Sequence, residues 1–277
     1  MTVIPISLCA DDFGIEAGVD EAIVELSKKG RLSATSCLTT ASGFAERADW
    51  LNGLPIDLGV HLNFTEFLGT PGLYMPLPRL ILQSYLRKLN ADDVHTQIGR
   101  QLDAFEQQLG RSPDFVDGHL HVHQFPVIRQ ALIEQLLTRY PGQKIWLRNT
   151  QPGRLSNALP WMQRFKAQVI GALGARALTR LAGRQGFLVN TDFMGAYDFS
   201  KPHPSYAAML DAWFSAARPG TLFMTHPAKY ISSDDAFGQD RVEEYRVLSS
   251  ELFTLLLDQH QLAVRRLSES THLTSLT

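Results

Sequence analysis

Val3-Ile-Pro-Ile-Ser-Leu-Cys-Ala10 leads directly into Asp11-Asp12-Phe-Gly14, and the stretch Glu16-Ala-Gly-Val-Asp-Glu-Ala-Ile-Val-Glu-Leu-Ser-Lys-Lys29 then closes on Gly30. The first run is short and apolar, as a buried strand requires. The second carries Val19, Ala22, Ile23 and Leu26 on one helical face, and glycine is the favoured residue just past a helix end. The same order recurs outward from this unit. Strands are expected at Ser36–Thr40, at Asp57–Leu62, from about Asp114, and at Lys144–Leu147, Phe187–Val189 and Thr221–Met224. Helices are expected at Phe44–Leu51, Ala91–Leu109, Val127–Arg139, Tyr206–Ala217 and Arg241–Gln259. Strand-then-helix order implies parallel strands joined by helical crossovers. The expected class is therefore α/β, a closed or nearly closed (β/α) barrel in one domain over residues 1–277, with an open doubly wound sheet as the alternative. From Phe64 to Pro78 the chain is rich in Pro, Gly and aromatics, so an inserted apolar loop and helix region is expected at about 64–90.

Among 277 residues, 26 Lys and Arg face 28 Asp and Glu, a net charge of −2. Neither that total nor any run along the chain supplies the clustered positive charge of a nucleic-acid binder. A hydrophobic share of 44% against 19% charged excludes a disordered chain and provides for a large core. Cys9 and Cys37 lie in apolar stretches and read as buried thiols rather than a disulfide scaffold. The first ten residues lack a basic leader, and no run approaches a membrane span, so a cytoplasmic location is expected.

The reactive side chains gather at strand C-terminal ends. Asp11 and Asp12 follow the first strand, His61 ends the third, and His119, His121 and His123 follow the strand at Phe115. Arg148 follows Ile145-Trp-Leu147, and His226 follows Leu222-Phe-Met224. In parallel α/β architectures these ends open onto the face where sites are built. Read as a continuing strand, Asp117-Gly-His-Leu-His-Val-His123 places Asp117, His119, His121 and His123 on one side. Three imidazoles and a carboxylate suit a divalent metal with one position left for water; a polar pocket rim of unligated histidines is the other reading. Asp11 and Asp12, consecutive on an extended segment, point to opposite sides, so their roles should differ. One ligates, and the other takes a proton from water beside a cation, for which Arg148 is best placed. Capping of the first helix is the alternative use of the pair. His61 taken alone reads equally as a core or rim histidine and as a site residue, and its place among the other strand-end groups favours the site. His226, in Met224-Thr-His-Pro227, is placed either to protonate a leaving group or to serve structure.

Together, Ala10-Asp-Asp-Phe-Gly14, Gly59-Val-His-Leu62, Asp117-Gly-His-Leu-His-Val-His-Gln-Phe-Pro126 and Thr225-His-Pro227 resemble the YdjC/ChbG family of carbohydrate deacetylases, over most of the chain. The resemblance implies a variant (β/α) barrel holding one divalent metal ion, zinc or magnesium, on Asp12, His61 and His119. It further implies Asp11 as general base, Arg148 holding Asp11, and His226 acting as acid or positioning the acyl group. Where the family often has a second histidine directly after the first of its histidine-rich motif, this chain has Leu120. His121 and His123 therefore stand as alternative ligands or, with Asp117, as groups supporting the ligands.

The implied reaction is hydrolysis of an N-acetylated sugar to acetate and a free amino sugar. The implied substrate is a chitooligosaccharide or, because related members are associated with hopanoid lipid biosynthesis, an N-acetylglucosaminyl lipid. The stretches Phe64–Leu86 and Trp161–Leu181 are apolar enough to line a lipid-accepting groove, touch a membrane surface transiently or hold a homodimer; ordinary helix packing is the alternative. Two other function classes use the same residues. A metal-dependent phosphoesterase on a sugar phosphate calls for more cations than Arg148 alone, and a non-catalytic sugar- or metal-binding protein would not consume its ligand.

Overall fold

The computed structural model describes residues 3–154, 158–199, 203–232 and 237–269. The chain begins with β1 (Ile4–Phe13), α1 (Ala17–Lys28), β2 (Ala34–Cys37), α2 (Ser42–Arg47), a 3-10 turn at Ala48–Leu51, and β3 (Asp57–Leu62). It continues through α3 (Leu77–Tyr85), α4 (Ala91–Leu109), β4 (Phe115–Gly118), a 3-10 stretch at His119–Gln124, α5 (Ile128–Arg139) and β5 (Trp146–Leu147). Then come α6 (Trp161–Ala172), α7 (Ala175–Arg184), β6 (Leu188–Val189), β7 (Phe193–Met194), α8 (Tyr206–Phe214) and β8 (Leu222–Thr225). The described chain closes with α9 (Gly238–Ser249), α10 (Glu251–Gln259) and β9 (Leu262–Val264).

The strands pair in parallel in the order β6-β5-β4-β3-β2-β1-β8-β7, with β9 beside Ile4–Ile6 of β1. The sheet curls until its ends meet: the Phe193 N–H donates to the Gln151 carbonyl at 3.0 Å, and Pro152 bridges to Phe193. The result is the nearly closed (β/α) barrel that the alternation predicts.

Strand side chains alternate between two apolar layers. Leu8, Val60, Val116 and Leu147 face outward and are fully buried under the helices. Val94, Ile98, Leu102 and Phe105 of α4, at three- and four-residue spacing, are buried in the same layer. Asn90 caps α4 by accepting the Asp92 and Asp93 N–H groups, and Gly110 ends it at φ 66°. The inward side chains Cys9, Ala34, Phe115, Trp146, Phe193 and Leu222 form a separate cluster inside the barrel. Phe115 stacks on Trp146 with ring centroids 4.1 Å apart, in space that a Cβ on Gly59 would invade at 2.4 Å. Buried Asp57 stoppers the lower end by accepting from Trp146 Nε1 (3.1 Å), Arg266 Nε (2.8 Å) and Ser268 N (3.0 Å). Cys9 and Cys37 are buried free thiols, as expected.

Three expectations about elements fail, the first being the helix expected over Phe44–Leu51, which is α2 followed by the 3-10 turn at Ala48–Leu51. The single helix expected over Arg241–Gln259 is two, α9 and α10, because Ser250 takes an extended conformation (φ −88°, ψ 166°) between them. The strand expected to continue through His123 stops at Gly118, where the paired residues of β3 also end. Leu120 (φ 52°) and His121 (φ 60°) turn the chain back so tightly that a Cβ on Gly118 would sit 2.9 Å from the His123 nitrogen. His119, His121 and His123 therefore do not share one strand face.

Candidate active site

Two residues above the inner apolar layer, the same strand faces turn polar. Cys9 is followed by Asp11, Ala34 by Ser36, Gly59 by His61, Phe115 by Asp117 and Trp146 by Arg148, all at the period of a strand. The register pairs Ser36 with Gly59, His61 with Asp117 and Phe115 with Trp146, so these side chains converge at the C-terminal mouth.

Arg148, fully buried, organises the layer. Its Nη1 and Nη2 each donate to one oxygen of Asp11 at 2.6 Å, and Nη2 lies 2.5 Å from Asp117 Oδ2 and 3.1 Å from Cys9 Sγ. Burial opposes its charge, but Asp11 and Asp117 hold the guanidinium protonated well above the usual range. Cys9, Asp11 and Asp117 form a donor cluster in their own right, and this guanidinium fills it. Burial pushes the Cys9 thiol up, so it stays neutral beside Arg148.

Asp12, His61 and His119 form the other donor cluster, with ligand atoms all within 4.8 Å of one another. Asp12 takes a left-handed backbone (φ 71°), a conformation Asp tolerates better than most residues, where β1 shifts register against β2. That rotation brings both aspartates to the same pocket instead of opposite sides. Gly14 (φ 100°) completes the turn where its missing Cβ would stand 2.8 Å from Phe44 Cβ.

His61 donates from Nδ1 to Asp117 Oδ1 at 2.7 Å, and the Ser36 hydroxyl donates to the same oxygen. Its Nε2 is left facing Asp12 Oδ1 at 3.5 Å and Asp11 Oδ2 at 4.0 Å. His119 sits with Nδ1 3.3 Å from Asp12 Oδ1 and Nε2 3.3 Å from Glu66 Oε1. Glu66 is held by Asn63, whose Oδ1 accepts the Glu66 N–H at 3.1 Å and whose Nδ2 donates to the Glu66 carbonyl at 2.7 Å. Each imidazole thus rests one nitrogen on a carboxylate and presents the other to Asp12, the arrangement in which histidines bind metals. Burial pulls His119 down, but Asp12 and Glu66 win and push it up to about 10. Burial raises Asp12, yet the bond to His119 and the charge of Arg241, whose Nη2 donates to Oδ2 at 2.9 Å, hold it well below the carboxylate range. The centre calls for positive charge, and one carboxylate with two imidazoles fits a divalent cation.

His226 lines the same pocket, its Nδ1 buried without a hydrogen-bond partner. Burial lowers it to about 4, so the ring is neutral at neutral pH. Its backbone N–H donates at 2.5 Å to buried Glu244, which also accepts from the Thr225 hydroxyl and from Tyr197 Oη at 2.7 Å. The pocket encloses about 410 Å³; beyond its polar floor the walls are largely apolar, including Phe125, Ile170, Leu173, Phe199 and Phe237.

A family model described as YdjC-like protein matches residues 5–259. The chain belongs to the YdjC-like family. Its relatives include the chitooligosaccharide deacetylase of Proteus mirabilis, 34% identical over 135 residues, which are 45% of this chain and 52% of that protein. A carbohydrate deacetylase of Mus musculus is 32% identical over 156 residues, 49% of this chain and 50% of that protein. The chain thus spans about half the length of these two relatives. Among solved structures, an Enterococcus faecalis protein described as a cellobiose-phosphate cleavage protein superposes with a TM-score of 0.67 at 17% identity, over 96% of this chain and 98% of that one. The Bc1960 peptidoglycan N-acetylglucosamine deacetylase superposes with a TM-score of 0.53 at 12% identity, over 98% and 89%. Both share the fold.

In this YdjC-like chain, Asp11, Asp12, His61, His119 and His226 meet at one pocket, and Arg148 and Asp117 lie directly beneath it. His121 lines the pocket wall edge-on to Phe193 (5.3 Å between centroids), kept neutral by burial and the nearby Arg148 charge. His123 is turned away, its Nε2 donating to the Arg148 carbonyl at 2.9 Å, so it fixes a strand end rather than reaching Asp12. Glu66, Ser36, Arg241 and Glu244 escape the sequence reading. Arg241 and Glu244 lie three apart on the buried face of α9, a burial that the charged sequence of that helix does not announce.

Proposed function

We propose that this chain is a metal-dependent hydrolase that removes the acetyl group from an N-acetylated sugar, releasing acetate and a free amine. The observation that carries the reading is the pairing of both imidazoles with carboxylates, His61 on Asp117 and His119 on Glu66, while their other nitrogens converge with Asp12. Asp12, His61 and His119 would hold the cation, which when bound supplies Lewis-acid chemistry, lowering the pKa of water and polarising a carbonyl.

Asp11 faces the same space, and its two bonds from Arg148 fix the carboxylate plane, leaving its outer lone pairs to accept a proton from the attacking water. His226, which lines the same pocket, orients the acetamide through its unpartnered ring nitrogen. Because the ring is neutral at rest, the proton that it hands to the departing amine is the one Asp11 takes from the attacking water, passed on within the turnover. The apolar walls beyond the polar floor favour a sugar carried on an apolar group over a free chitooligosaccharide.

The test is acetate release from N-acetylglucosamine oligomers and from an N-acetylglucosaminyl lipid, using chelator-stripped protein with single metals restored. Metal-dependent acetate is expected, most from the lipid. Asp11→Asn should end turnover while metal still binds, whereas Asp12→Asn should lose the metal as well. Metal-bound protein that releases acetate from neither substrate would overturn the reading.

A further inference from the structure

Helix α6 separates two cavities. At about 100° per residue, its sides divide cleanly: Lys166 and Ile170 line the active-site pocket on one flank, while Gln168 and Gly171 line a second cavity of about 470 Å³ on the other. Gln163 and Ala167 pack inward. The outward ridge between the cavities is Trp161, Met162, Phe165 and Val169, which are 68%, 45%, 64% and 41% exposed.

The second cavity is lined by Arg129, Arg176 and Arg180, with Tyr85 and Gln151 and no carboxylate. Arg129 donates to the Gln124 carbonyl (2.9 Å) and Arg176 to Gln151 Oε1 (3.3 Å), both neutral acceptors. The net charge of −2 conceals this asymmetry. Between Glu134 and Asp192 the sequence has no Asp or Glu against nine Lys and Arg, and of these Arg176 and Arg180 line the cavity, joined there by Arg129 of α5. Tyr85, at the end of α3, lines this cavity, and Leu82 of α3 and Leu86 just past its end are exposed apolar neighbours in sequence.

An exposed Trp and Phe ridge beside a cavity of guanidiniums complements an anionic bilayer, whose interface takes aromatic rings and whose phosphates attract arginine. We propose that α6 and the arginine cavity dock this chain on anionic phospholipid membranes. Trp161 and Phe165 enter the headgroup layer, and Arg129, Arg176 and Arg180 receive a lipid phosphate. The mouth of the active-site pocket, walled by the opposite flank of α6, then opens at the membrane surface. The proposal does not rest on the deacetylase reading, since its readout requires no turnover.

The full chain is floated with vesicles of phosphatidylcholine alone or mixed with phosphatidylglycerol. Binding is expected only to the mixed vesicles, and it should weaken as salt screens the charges. Trp161 fluorescence should shift blue and be quenched by brominated lipid in the wild-type protein. Trp161→Phe should lose that signal, leaving the 40%-exposed Trp50 and the buried Trp146 and Trp213 as background. Arg176→Gln with Arg180→Gln should lower vesicle partitioning about thirtyfold, and Phe165→Glu should abolish it. These side chains are all exposed, so the variants keep the core intact. No binding to phosphatidylglycerol vesicles overturns the proposal. So does binding unchanged in the variants, or sedimentation of a dimer that Phe165→Glu disperses, since the ridge would then be covered by a second copy.

Discussion

Arg148→Met removes the buried cation that Asp11 and Asp117 share and leaves both carboxylates, each almost fully buried, without it. Breaking a buried pair from one side costs about 3–5 kcal/mol, because the charge left behind is neither solvated nor compensated. Total stabilities are on the order of 5–15 kcal/mol, so the variant should remain folded but with its melting temperature lowered by on the order of 10 °C. The loss must also depend on pH. Burial pushes Asp117 up, but Arg148, followed by His61, holds it well below the carboxylate range. A depressed carboxylate contributes stability above its unfolded pKa of about 4 and surrenders it as pH falls through the folded value. The gap between wild type and Arg148→Met should therefore be widest at neutral pH and narrow below about pH 4. Arg148→Lys keeps the charge but cannot grip Asp11 with two parallel N–H groups, so it should fall between the two. Thermal melts of the three proteins across pH decide the matter. A Met variant melting within about 2 °C of wild type at neutral pH would mean that Arg148 is not what compensates these carboxylates.

Glu66→Gln and Asp117→Asn should each weaken metal affinity about 10- to 100-fold, read by competition with a chromophoric chelator; unchanged affinity would remove the carboxylate support from the site. Glu244 is pushed up to about 7 by burial against the donors that surround it, so its charge costs nothing below about pH 4.5 and increasingly more toward pH 7, levelling at about 3 kcal/mol. Glu244→Gln should accordingly gain on wild type in denaturant melts across that window, and a flat difference would refute the assignment. In isothermal titration, Asp11→Asn should bind metal like wild type and Asp12→Asn should not; the reverse would exchange the roles of the two aspartates.

Two elements were legible residue for residue. Asp57–Leu62 and Ala91–Leu109 have the expected bounds because the apolar period persists over their whole length. The two-residue β7 and three-residue β9 are too short to express a period, and Ser250 breaks a helix by backbone conformation alone. The same division runs through the site. Asp11, Asp12, His61, Arg148 and His226 were visible because strand ends in parallel α/β folds share a face. Glu66 and Arg241 reach that face from the stretch between β3 and α3 and from a late helix, and only tertiary folding brings them there. His123 was misplaced because the left-handed turn at Leu120 and His121 leaves no mark in a strand's period.

The two-residue step between the inner apolar layer and the polar mouth ties folding to chemistry. If β3 slipped by a single residue, Val60 would enter the mouth and His61 would lie among the helices, while Asp117 would lose its ring partner. The donor cluster therefore serves as a register gauge for the whole barrel. A slipped threading of β3 would separate His61 from Asp12 and His119, so metal uptake at the proposed site would report strand alignment as directly as it reports the side chains themselves.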